Sequence, residues 1–320
     1  DPRQVRLAWA GRQVAPMTAP QTTTPGTTTA VQTSDPTRVV PTRRISFEEQ
    51  LAQLPKHFGK DGDLISSHLT AALSALFPDG EDFFVRSVRA YRDQITDPVL
   101  KRQVAGFIGQ EATHGREHRL LNDRLKQLGY PTKRQEKVAK WGLGFRERIS
   151  PKIANLAATA ALEHFTATMA EQLMRDELTD TTLGSEPVRS IFLWHALEES
   201  EHKAVAFDVY KAVGGKQFTR VWTMNFFRFI FPLVTTGMVV LSLLRDRRSY
   251  KRGELRRSYQ QLRTSGLFSR DTWLRLKDYN RPDFHPFDHD TTELETYWRN
   301  RLFGENGATG ELSSLVKSAA

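Results

Sequence analysis

The chain has 320 residues, 46 Lys and Arg against 37 Asp and Glu, a formal charge of +9 and no cysteine. The absence of cysteine excludes disulfide scaffolds, thiolate metal sites and cysteine nucleophiles, and it fits a reducing, cytoplasmic setting. The excess charge sits in two places, six Arg against two Asp in residues 1–45 and seven basic against two acidic side chains in residues 245–257, so the rest is balanced and no nucleic-acid partner is expected.

Residues 1–45 are rich in Thr, Pro and Arg and lack apolar periodicity, so a disordered tail is expected. They show no secretory signal pattern. Met17 opens the Thr-rich stretch, which reads residues 1–16 as tag or upstream sequence. Residues 46–305 read as one helical domain. An apolar-periodic stretch covers 64–76, and Pro78 is placed in the first turn of a helix through Phe83, Phe84, Val88 and Tyr91. Asp97-Pro98 opens a second helix to about residue 128, closed by Gly129 with Pro131 beyond. Ser150-Pro151 opens a third, to about 177. Ser185-Glu186-Pro187 opens a fourth, to about 213, closed by Gly214-Gly215. Four long helices with such starts and stops imply an all-α chain built on a four-helix bundle with additional C-terminal helices.

Residues 229–244 then run without a charge, preceded by Trp222, Phe226 and Phe227 and followed by the basic run 245–257. Three readings fit this 222–257 region: a buried bundle helix, a helix lying on or re-entering the inner membrane leaflet, or a span, which needs about 20 apolar residues. Residues 280–290 read as a Pro/aromatic loop, 291–303 as a short helix and 306–320 as a frayed end.

The chemistry lies in two Glu-x-x-His pairs, Glu111/His114 in the second helix and Glu199/His202 in the fourth. Three residues on a helix turn by about 300°, so each Glu lies beside its His and both can bind one ion. Two such pairs, with one Glu from each of two other helices, make a carboxylate-bridged dinuclear site. Glu81 and Glu163 fill those places, since each sits in an apolar stretch where an unpaired carboxylate is costly. His195 precedes Glu199 by four residues and is expected as a seventh ligand. His118, four after His114, is expected behind the ligands as a cofactor-supporting residue. Glu198, Glu201 and His164 are expected to point elsewhere, solvated or supporting. His57, His68, His285 and His289 have no partner at ligand spacing and are read as structural or exposed. Four carboxylates with three imidazoles suit two ions, iron first and manganese second.

Three stretches, 74–88 (SALFPDGEDFFVRSV), 109–118 (GQEATHGREH) and 194–204 (WHALEESEHKA), resemble the bacterial family described as predicted metal-dependent hydrolases. The order Glu81, Glu111-x-x-His114, Glu163, His195-x-x-x-Glu199-x-x-His202 is also similar to the p-aminobenzoate N-oxygenase type of di-iron enzyme. These resemblances imply a ferritin-like bundle and a metal. Three functions follow as expectations. The first is a di-iron oxidase or oxygenase that takes O2 as co-substrate and oxidises a hydrophobic, lipid-like small molecule between walls of Phe83, Phe84, Phe107, Phe165 and Phe192. The second is a dinuclear hydrolase, and the third a non-enzymatic metal-binding or membrane-associated role. Glu111 and Glu199 are the carboxylates expected to take part in the chemistry.

Overall fold

The computed structural model describes residues 38–177, 183–263, 265–266, 269–304 and 312. The readings of a tag at residues 1–16 and of most of a frayed end lie outside the described residues. Among those described the chain is helical, with one isolated bridge between Gly59 and Leu183. The elements are α1 (Leu64–Arg89), α2 (Pro98–Gln127), α3 (Thr132–Ile149), α4 (Lys152–Glu177), α5 (Glu186–His202), α6 (Val205–Ala212), α7 (Gln217–Leu243), α8 (Glu254–Leu262), α9 (Arg270–Asp278) and α10 (Thr292–Phe303).

Helices α1, α2, α5 and α4 pack in a closed ring, each against the next. Asp63 and Asp97 cap α1 and α2 by accepting from Ser66 N and Val99 N. Gly129 and Gly214 take positive φ just past the ends of α2 and α6, where a left-handed residue closes a helix. Along the ring, one apolar cluster gathers Phe83, Phe107, Ala161 and Val209, and a second gathers Ala71, Leu121, Met174 and Trp194. On α1, α2 and α4 the candidate donors Glu81, Glu111, His114 and Glu163 fall between the two clusters, while α5 contributes to the second cluster.

Three expectations change. Pro78 does not open a helix but lies inside α1. An internal proline leaves the carbonyl four residues back without its N–H partner; here Asn122 Nδ2 of α2 donates to Ser74 O at 3.0 Å, so the helix continues. The fourth expected helix is two: α5 stops at His202 and α6 begins at Val205. Between them Lys203 is buried, with Nζ donating to His289 O and Thr291 Oγ1. Helix α3 was not expected; its apolar residues Val138, Trp141, Phe145 and Ile149 are exposed.

Residues 38–45, expected within the tail, lie instead as an ordered strap on α2. Val40 and Ile45 are buried, and Gln110 Nε2 donates to Pro41 O at 2.9 Å. Gly106 and Gly109 make room: a Cβ at Gly106 would stand 2.1 Å from Val40 O, and one at Gly109 2.3 Å from Thr42 Oγ1. In an exposed helix Gly→Ala gains about 1 kcal/mol. Gly106→Ala should reverse that sign and cost about 1–3 kcal/mol through overpacking against backbone. Urea unfolding checks this, and a stabilised variant would refute the strap.

Candidate metal centre

The three imidazoles are each fixed by a hydrogen bond on one ring nitrogen. His114 Nε2 lies 2.9 Å from Glu198 Oε2. His202 Nδ1 lies 2.8 Å from Gln110 Oε1, and Gln110 turns its amide nitrogen to Pro41 O, which fixes the oxygen toward the histidine. His195 Nδ1 lies 2.7 Å from His118 Nε2, while His118 Nδ1 meets Ser74 Oγ at 2.9 Å and Ser74 donates to Asn122. Each contact places the proton on the outward nitrogen and leaves the inward one with its lone pair.

Those inward nitrogens meet four carboxylates from four helices. His202 Nε2 lies 3.1 Å from Glu111 Oε1 and 3.2 Å from Glu163 Oε2. His195 Nε2 lies 2.9 Å from Glu199 Oε1 and 3.7 Å from Glu81 Oε1. His114 Nδ1 lies 3.9 Å from both Glu111 Oε1 and Glu199 Oε1. Three overlapping groups result: Glu81/His114/His195, Glu111/His114/Glu199 and Glu111/Glu163/His202, with the donor atoms of each group within 4.8 Å of one another. Glu199 turns Oε1 to His195 and Oε2 to the His202 side, so its two oxygens face different groups.

All seven residues are buried. Among the described residues, both oxygens of Glu81, Glu111 and Glu163, together with His114 Nδ1 and His202 Nε2, find no hydrogen bond of acceptable geometry, despite the close His202 contacts. Buried polar atoms are nearly always satisfied. Eight unsatisfied atoms facing one small volume, drawn from carboxylate oxygens and imidazole nitrogens, fit a pair of divalent cations.

The electrostatics agree. Burial, with the neighbouring charges of Glu111 and Glu199, raises the Glu81 pKa well above the usual range. Burial and Glu163 push Glu111 up to about 8, and burial and Glu199 push Glu163 up to about 7. Burial opposes the charged form of His202, but Glu163 and Glu199 outweigh it and raise its pKa. The metal-free protein therefore keeps protons here that its unfolded chain would release. A group with a raised folded pKa contributes stability that is lost as pH climbs through that pKa. His114 and His118, lowered by burial and then by His195, act in the opposite sense, but only below their ordinary 6.5. The urea midpoint of chelator-treated protein should thus fall between about pH 6.5 and 8, and added Mn(II) should remove the fall, since metal ligands must be deprotonated. A rising midpoint without metal would count against this charge assignment.

The remaining expectations divide. His118 stands behind His195. His164 turns away, stacking on Tyr279 with Nε2 at Arg275 O. Glu198 and Glu201 are not solvated: both are buried, and both receive Arg43 of the strap, whose Nη1 lies 2.8 Å from Glu198 Oε1 and 2.7 Å from Glu201 Oε2. Histidines without partners at helical spacing have distant ones. His57 and His68 meet Asp246 at 2.9 and 3.4 Å, where Lys56 also sits at 3.0 Å; His285 meets Asp208, and His289 lies by Asp278. Sequence reading missed Arg43, Gln110 and Trp194, whose indole stands edge-on to His114. Glu-Arg pairing across more than 150 residues leaves no local signal.

A cavity of about 220 Å³ is lined in part by His195, Glu199 and Thr166. Leu69, Leu73, Phe77, Leu173, Phe192 and Phe231 make it chiefly apolar, and partly exposed Ser66, Gln261 and Ser265 add polar lining. Of the expected Phe walls, Phe192 lines this cavity and Phe107 stands edge-on to His202, whereas Phe83 and Phe84 belong to the apolar cluster beside the site. Of the two carboxylates expected to act in the chemistry, Glu199 lines the cavity and Glu111 does not.

A family model described as "Predicted metal-dependent hydrolase" matches residues 41–290. That description names the second expected function, hydrolysis, rather than oxidation. No curated protein and no solved structure matches the chain.

Proposed function

This chain belongs to the family of predicted metal-dependent hydrolases, and from that premise we propose that it is a dinuclear metalloenzyme acting on an apolar small molecule. The observation that carries the reading is the convergence of unsatisfied carboxylate and imidazole atoms on one buried volume. Glu81, His114 and His195 would hold one ion, and Glu111, Glu163 and His202 the other, with Glu199 serving both through its two oxygens. When bound, two divalent ions supply Lewis acidity and an acidified water.

Hydrolysis, which the family description names, comes first. Glu199 lines the cavity, with Oε2 accepting from Thr166 Oγ1. With both oxygens engaged it would help hold the ions beside the cavity, and the Thr166 hydroxyl that donates to it would steady its orientation. His118 and Glu198 keep His195 and His114 in the tautomers that point their lone pairs inward. Phe77, packed 4.7 Å from both His118 and His195, keeps bulk water off that pair.

Oxidation by O2 is the second reading. The observation favouring it is the donor set itself: four carboxylates balance two divalent ions and ease a rise in their charge, within an apolar cavity suited to an unactivated chain. One comparison separates the two. Protein loaded with Mn(II), Zn(II) or Fe(II) is given aliphatic esters under strict anaerobiosis, and Fe(II) protein is separately followed with an oxygen electrode. Ester turnover without O2 that disappears on chelation supports hydrolysis. O2 uptake tied to Fe(II), with no anaerobic turnover, supports oxidation. Failure of both would leave a binding role and reject catalysis.

A further inference from the structure

Helix α7 buries only one side. Thr223, Met224, Phe227, Thr235, Met238 and Val239 are buried, and the helix packs on α1 and α4. Its other side shows Phe218 at 78%, Trp222 at 56%, Phe229 at 73% and Leu233 at 68% exposure, and no exposed position along the helix carries a charge. Soluble surfaces seldom leave so long an apolar strip open.

Helix α3 touches α7 and adds exposed apolar side chains of its own. It runs beside α7 in the opposite direction: Gln135 Nε2 donates to Met238 O at 3.3 Å, and the Arg146 guanidinium lies over the Phe227 ring. Its own Trp141, Phe145 and Ile149 are exposed as well. At the far end of α7 the character changes at once to exposed Arg245, Arg247, Lys251, Arg252, Arg256 and Arg257. Tyr250 among them is exposed, and its hydroxyl donates to Leu244 O at the helix end.

We propose that α3 and α7 form a platform that rests on the surface of an anionic lipid bilayer, apolar side chains entering the acyl boundary and the 245–257 run meeting the headgroups. The charge pattern selects this occupant. A second copy of the chain would cover the apolar strip but bring no opposite charge to the basic run, whereas an anionic leaflet supplies both. The helix lies on the bilayer rather than crossing it. Its buried side is part of the bundle, and Arg220 in its first turn is buried with its guanidinium donating to Tyr279 O and Arg281 O, contacts that a span would strip away. The platform also adjoins the cavity, since Phe231 of α7 and Leu262 of α8 line it.

Flotation of the full metal-loaded chain with vesicles tests this without reference to catalysis. Vesicles of phosphatidylcholine with about one-third phosphatidylglycerol should carry the protein at low salt, and pure phosphatidylcholine vesicles should carry far less. Replacing Arg245, Arg247 and Arg252 by Gln should lower binding on the order of 100-fold, each basic side chain near an anionic surface contributing about fivefold. The double change Trp222→Glu and Phe229→Glu should lower it by about tenfold or more on either vesicle. Unchanged circular dichroism and metal content in both variants guard against misfolding. Three outcomes overturn the proposal: no binding to anionic vesicles at low salt, wild-type binding by the double variant, or a wild-type dimer by light scattering that Phe229→Glu splits.

Discussion

Glu111→Ala and His202→Ala proteins should each hold no more than one metal ion where the wild type holds two, read by native mass spectrometry or elemental analysis. Glu111 belongs to two of the three donor groups, so its loss removes a ligand next to both His114 and His202. His202 supplies the only imidazole of the group that contains Glu163. Either change leaves buried carboxylates facing one another with less cation to balance them, and they take up protons instead. The loss should therefore be greatest at low pH. Glu163→Ala serves as the check on α4. Full occupancy in that variant would remove Glu163 from the ligand set and leave the site with three carboxylates.

Arg43→Ala should destabilise the protein by about 3–5 kcal/mol, the usual cost of removing one partner from a buried ion pair. Its guanidinium reaches Glu198 and Glu201, whose side chains are essentially inaccessible. Arg299 and Gln110 still reach Glu201, whereas Glu198 is left without a cationic partner within reach but keeps its contact with His114 among the described residues. A protonated Glu198 no longer accepts from His114 with the same strength, so the imidazole loses the bond that fixes its tautomer. Metal affinity should drop about 10- to 100-fold, as when a histidine's outer carboxylate is removed. Urea unfolding with metal bound and chelator competition measure the two effects separately. Arg43→Lys should recover part of the stability and less of the affinity, because a single ammonium cannot serve both carboxylates in the same geometry. An Arg43→Ala protein with wild-type affinity would show that the strap supports the fold and not the site.

The candidate donors were legible because helices repeat. Glu111 and His114, Glu199 and His202, and His195 with Glu199 stand three or four residues apart, and that spacing alone puts them on shared faces. Glu81 and Glu163 were legible from cost, as carboxylates in apolar surroundings. The supporting layer was not. Arg43 lies 155 residues from Glu198, and Gln110 lies 92 from His202. Pro78 illustrates the same limit: read locally it starts a helix, and only Asn122 across the bundle lets the helix run through it. Helix α3 failed for a different reason. Its apolar spacing is regular, but the side it marks faces outward, and periodicity cannot say which neighbour a stripe meets.

The sequence by itself determined the all-helical class, the cap at Asp97, the glycine stops and the set of candidate metal donors. Each of these depends on interactions within one or two turns, which the order of residues specifies directly. Tertiary structure decided which nitrogen of each imidazole is free, which carboxylates share a space, that the 38–45 strap belongs to the bundle, and that one long side of α7 stays uncovered. Those outcomes depend on partners brought in from other helices. A helix fixes the direction of a side chain about its own axis, and packing between helices fixes what lies in that direction.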